Sequence, residues 1–123
     1  MTHKILIVDD EPNIVLSLEF LMKREGFQVA VAADGEAALE QVRAFDPDLV
    51  LLDVMMPKKS GYEVCEILRA DPARSAMKIV MLTAKGRDME VAKGLGLGAD
   101  AYVTKPFSNK ALLAEIKQLL GEG

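Results

Sequence analysis

The chain has a single cysteine, Cys65, so it holds no internal disulfide, and a bridge-stapled secreted scaffold is excluded. It contains no low-complexity tract, no internal repeat and no linker-like stretch. A membrane span needs roughly 20 consecutive apolar residues. Apolar runs such as "DLVLLDVMM" fall far short of that. The N-terminus "MTHKILIV" lacks the pattern of a cleaved signal peptide. The expectation is a cytoplasmic protein with no membrane partner. Basic excess is missing as well: 15 Lys and Arg stand against 19 Asp and Glu, for a net charge of -4. Phosphate neutralisation requires a clustered basic surface, so no direct nucleic-acid partner is expected.

What is present fits one core. The 123 residues are 50% hydrophobic and 28% charged, which suits one domain over residues 1–123. No output domain is expected within this chain, and "LLGEG" reads as a frayed helix end. Strand-like apolar runs cover Ile5–Val8, Gln28–Ala32, Leu49–Leu52, Ile79–Leu82 and Ala101–Thr104. Their apolarity is continuous rather than alternating, as expected of parallel strands buried on both faces.

Helical segments separate these runs. Ile14, Leu18, Leu21 and Met22 share one helical face, and Gly26 fits the stop. A second helix is predicted from Glu36 to Phe45, with Asp34 or Gly35 at its start. "SGYE" opens a third as a capping box, in which Ser60 and Glu63 satisfy each other's backbone donors, and it ends near Ala70. A last helix carries Leu112, Leu113, Ile116, Leu119 and Leu120. The fourth, within "DMEVAKGLGLGA", is weak because three glycines interrupt it. The order is (βα)5. Right-handed crossovers make this a doubly wound, flavodoxin-like, five-stranded parallel sheet with helices on both faces.

Ligands of such sheets bind at the carboxyl ends of the strands. The first strand ends in Asp9 and Asp10, the third in Asp53, the fourth in Thr83 and the fifth in Lys105. Carboxylates about 4 Å apart repel by roughly 4 kcal/mol at an effective dielectric of 20. One lysine offsets only part of that charge. A hard divalent cation is the natural remainder, and Mg²⁺ suits carboxylate oxygen and bridges to phosphate. Each residue has a plainer reading when taken alone. Asp9, Asp10 and Thr83 would be helix caps, Asp53 a turn residue and Lys105 a surface lysine. Their meeting at matching strand ends outweighs those readings. Cys65, on a helix face with Leu68, reads as core filler.

Four segments, "ILIVDDE", "LVLLDVMMPKKSG", "VMLTA" and "GADAYVTKPF", carry a resemblance in order and spacing. The chain resembles a response-regulator receiver domain of two-component signalling, of the single-domain, chemotaxis-regulator-like type. The likeness runs from about Lys4 to Leu120. It implies that Asp53 accepts a phosphoryl group from the phosphohistidine of a partner, a sensor histidine kinase or a phosphotransfer protein. It implies Mg²⁺ as cofactor, held by Asp10, Asp53 and the Met55 backbone carbonyl, with Asp9 acting mainly through water. Thr83 and Lys105 would bind the phosphoryl oxygens, and Tyr102 would be the aromatic switch. The Lys105–Pro106 peptide would be cis. A downstream protein target would meet the face made by the fourth helix, fifth strand and fifth helix. Met55 and Lys85, two positions beyond Asp53 and Thr83, are expected to slow loss of the phosphoryl group.

Three rival functions fit less well. A haloacid-dehalogenase-type phosphatase would need a second acid two residues after its nucleophile, where Met55 stands. A flavin binder would need a Ser, Thr and Gly-rich first loop, where this chain is acidic. A degenerate receiver would lack Asp53 or Lys105. The expected protein is a phosphoacceptor that catalyses only its own phosphorylation and dephosphorylation.

Overall fold

The computed structural model describes residues 2–54, 58–84, 96 and 98–121. Five strands form one sheet: β1 Lys4–Val8, β2 Gln28–Ala32, β3 Leu49–Asp53, β4 Lys78–Ala84 and β5 Ala101–Lys105. All neighbours are parallel, in the order β2-β1-β3-β4-β5. The chain reverses direction of winding after β2, which leaves a crevice between the carboxyl ends of β1 and β3.

The apolar runs alternate between two cores. Leu6, Val8, Val50, Leu52, Ile79 and Met81 face one side and pack with Ala38, Val42, Val64, Cys65 and Leu68. Those partners lie on α2 Gly35–Phe45 and α3 Gly61–Arg69. Ile5, Ile7, Leu49, Leu51, Val80 and Leu82 face the other side, against Leu18, Leu21, Met22, Leu112 and Ile116. These belong to α1 Pro12–Arg24 and to the C-terminal helix Asn109–Leu119. Burial on both faces explains why the strands read as unbroken apolar runs. Each fully buried aliphatic side chain contributes about 1.5–3 kcal/mol before entropy is counted. The doubly wound parallel sheet expected of the sequence is therefore present. The helix expected within "DMEVAKGLGLGA" lies mostly outside the described residues.

Local chemistry sets the helix ends. α1 begins after Glu11, with Pro12 at its first position, where a missing N–H costs nothing. Neither Asp9 nor Asp10 is its N-cap. Gly26 follows α1 with φ +90°. Asp34 caps α2 by accepting from the Ala37 N–H at 2.8 Å, and Ser60 caps α3 by accepting from the Glu63 N–H at 3.3 Å. A short 3-10 turn, Pro72–Arg74, follows α3 and was not expected from the sequence. At the pole away from the acids, Arg69 donates to the Gly98 carbonyl at 2.7 Å, the Met77 carbonyl at 2.8 Å and Asp100 at 2.5 Å. Asp100 also accepts the Ile79 N–H at 2.8 Å, which ties the start of β4 to the turn before β5. The Lys105–Pro106 bond is cis.

Candidate functional site

The strand ends gather the site. Val8 of β1 lies in register with Leu52 of β3, so Asp9 and Asp53, each one residue further along, emerge side by side. Asp53 pairs with Leu82, placing Thr83 one step beyond, and Ala84 pairs with Lys105 across β4 and β5. Asp9, Asp53 and Thr83 are buried, whereas Asp10 is exposed. Each of Asp9, Asp10 and Asp53 offers one carboxylate oxygen, and all three oxygens lie within 4.8 Å of one another.

Lys105 bridges two of the acids. Its Nζ donates to Asp9 Oδ2 at 3.0 Å and to Asp53 Oδ1 at 3.2 Å. The other Asp9 oxygen accepts the Glu11 N–H at 2.9 Å, which fixes its direction. Asp9 thus serves the turn locally and the cluster at long range. Burial pushes the Asp53 carboxyl up to about 6, and the Asp9 charge adds to the effect; the Lys105 ammonium opposes both. Burial works against the Lys105 charge, but its hydrogen bond to Asp9 and the Asp53 charge raise its pKa above the usual lysine value. The raised Asp53 carboxyl reflects burial first and the neighbouring Asp9 charge second, which Lys105 offsets only in part.

Thr83 has a buried hydroxyl, and among the described residues its Oγ1 has no hydrogen-bond partner. Such an orphan costs about 1–3 kcal/mol. A hydroxyl held dry beside an acidic crevice is ready for an acceptor that comes from outside. The three carboxylate oxygens are hard donors of the kind Mg²⁺ takes, and the residual negative charge fits a divalent cation. Tyr102, half-buried, packs against the core that holds α2 and α3. Met55 and Lys85 lie outside the described residues. Cys65 is fully buried, and desolvation pushes its thiol up to about 11, as suits core filler.

Two glycines beside the site meet a demand for space that the sequence pattern does not show. A Cβ at Gly61 would overlap the Asp53 carbonyl oxygen and lie 2.8 Å from Val54 Cα. The Gly61 N–H also donates to the Val54 carbonyl at 2.9 Å. A Cβ at Gly35 would overlap the Lys59 carbonyl oxygen and Cβ. Neither demand leaves a local signal, because each arises between segments that meet only in the fold.

Residues 5–117 match the family described as response regulator receiver domain. The chain belongs to that family. It is 48% identical over 120 residues to the DNA-binding response regulator MtrA of Mycolicibacterium smegmatis, covering 98% of this chain and 51% of the relative. It is 47% identical over 120 residues to the alkaline phosphatase synthesis transcriptional regulatory protein PhoP of Bacillus subtilis, covering 98% and 49%. The chain therefore spans about half the length of these curated relatives. Among solved structures it is similar to the chemotaxis response regulator CheY4 of Vibrio cholerae, with a TM-score of 0.88 and 28% identity over 97% of this chain and 99% of that one. The receiver is a phosphoacceptor signalling domain of two-component systems, and an acidic pocket for Mg²⁺ is a family trait that Asp9, Asp10 and Asp53 match. Among the described residues no helix is long and apolar enough to cross a membrane.

Proposed function

We propose that this receiver takes a phosphoryl group onto Asp53 from the phosphohistidine of a sensor histidine kinase or phosphotransfer protein, in a Mg²⁺-dependent reaction. The observation that carries the reading is the buried Asp53 carboxylate, 3.2 Å from the Lys105 ammonium, with Thr83 one step beyond its register partner on β4 and its hydroxyl without a partner among the described residues. An ionised Asp53 oxygen attacks phosphorus while the P–N bond breaks. The electron pair leaves on the imidazole nitrogen, which takes a proton. Phosphoryl transfer asks mainly for positioning and charge stabilisation. Lys105 is already aimed at Asp53 and accompanies the incoming oxygens. Thr83 donates its hydroxyl to one of them. Asp10 and Asp53, with the Met55 carbonyl, would hold Mg²⁺ directly, and Asp9 would hold it through water. Bound there, the metal supplies positive charge to the transferring oxygens. Attack by water on the aspartyl phosphate restores the carboxylate, so the chain catalyses only its own phosphorylation and dephosphorylation.

Output follows from contact. Once Thr83 turns to the phosphoryl group, Tyr102 follows it and alters the face shared by the fourth helix, β5 and the C-terminal helix, where a downstream protein docks. The chain works in the cytoplasm as one receiver unit. Incubation with Mg²⁺ and acetyl phosphate is expected to add one phosphoryl mass to the wild type and none to Asp53→Asn. Equal labelling of both chains would overturn the assignment.

A further inference from the structure

We infer that Gly35, on a different element from any proposed ligand, is a positioning residue for the phosphoacceptor loop. The inference rests on the reading of Asp53 as phosphoacceptor. Gly35 opens α2 and is buried, and its φ lies outside the left-handed region. Its backbone shape therefore does not require glycine. Alanine there should favour the helix, since glycine costs up to about 1 kcal/mol in helical positions. Space is what excludes it. A Cβ would overlap the Lys59 carbonyl oxygen and Cβ and lie 2.9 Å from the Lys59 carbonyl carbon. Two of those three atoms are backbone, so relief requires the loop itself to move.

That loop is short and tied at its far end. It leaves Asp53 and re-enters α3 at Gly61, whose N–H is bonded to the Val54 carbonyl at 2.9 Å and where an added Cβ would overlap the Asp53 carbonyl oxygen. Lys58 takes φ +68° and pairs with Asp34 at 3.7 Å, and the same Asp34 caps α2. The first turn of α2 and residues 58–61 thus form one packed unit. A shift forced at Lys59 is passed to Gly61 and from there to the backbone of Asp53. The exposed Lys58–Asp34 pair adds little by itself; the backbone contact at Gly35 sets the position.

The test compares phosphorylation rates at saturating Mg²⁺ and acetyl phosphate. Gly35→Ala is expected to lower the maximal rate about tenfold, in line with the sensitivity of transfer to small misplacements. Glu40→Gly, on an exposed site of the same helix, weakens α2 by a propensity effect alone and keeps the rate within about twofold. A Gly35→Ala chain that folds and keeps the wild-type rate overturns the inference, as does a Glu40→Gly chain that loses the rate equally. Should Gly35→Ala not fold, the wild type decides. With Mg²⁺ and a beryllofluoride phosphate mimic, the backbone amide signals of Gly35 and Lys59 are expected to shift together with that of Gly61. A stationary Gly35 signal overturns the proposal. A wild type that takes no phosphoryl group at Asp53 removes the functional reading first, and this one with it.

Discussion

Replacing Asp53 by asparagine should make the metal-free protein more stable. Folding moves the Asp53 carboxyl from 3.8 to about 6, through burial first and the Asp9 charge second. The group therefore binds its proton more tightly folded than unfolded, and stability falls as pH rises from about 4 through about 6. Two pKa units correspond to about 3 kcal/mol, lost in full well above pH 6. Asparagine keeps the shape and an acceptor oxygen for Lys105 but carries no charge. Lys105 retains its 3.0 Å bond to Asp9, so no buried cation is stranded. Residual structure and relaxation trim the gain, and about 2–3 kcal/mol is expected at pH 8 in EDTA. For a chain of this size that is roughly 10 °C in melting temperature. The measurement is urea denaturation of both proteins in EDTA from pH 8 down to pH 4. The gap should narrow through that window and nearly close at its acid end. Mg²⁺ should then raise the stability of the wild type more than that of the variant, by mass action. An asparagine variant no more stable than the wild type at pH 8 would refute the claim that Asp53 carries uncompensated charge.

Thr83→Val should stabilise the unphosphorylated protein by about 1 kcal/mol, because it removes a buried hydroxyl with no partner among the described residues; a loss of stability in thermal melts would show that the hydroxyl is satisfied after all. The same variant should accept phosphate more slowly, as read by intact-mass kinetics. Asp10→Ala should weaken Mg²⁺ binding by tenfold or more, since its carboxylate is one of three oxygens within 4.8 Å. Unchanged affinity in a calorimetric titration would sink the metal site.

The architecture was legible because this sheet is buried on both faces. Ile5 to Val8 and Leu49 to Leu52 must be apolar at every step, as Ile5 and Ile7 face one core and Leu6 and Val8 the other. Strand ends were less legible, and the reason is pairing rather than composition. Asp53 remains in ladder register with Leu82, and Ala84 with Lys105, so polar residues at the site are still strand. Sequence patterns weigh polarity and therefore stop one or two residues early. The Pro72–Arg74 turn escaped for a related reason. "DP" reads as a helix stop, yet Asp71 accepts the Ala73 N–H at 3.0 Å and carries the chain through one more tight turn.

The chemistry of the site divides along the same line. Which residues meet could be read from strand ends, because a parallel sheet places all its carboxyl ends on one edge. How they meet could not. That Lys105 spans Asp9 and Asp53, leaving Asp10 exposed, depends on side-chain direction and burial. Asp53 and Asp9 are both buried acids beside one lysine, and among the described residues Asp9 alone shows a second bond, to the Glu11 N–H, that fixes its remaining oxygen. Asp53 is the acid with a raised pKa, and Thr83 the donor without an acceptor among the described residues. On adjacent strands stand a buried acid with a raised pKa and a hydroxyl with no acceptor among the described residues, and a phosphoryl group with its cation would supply what both take.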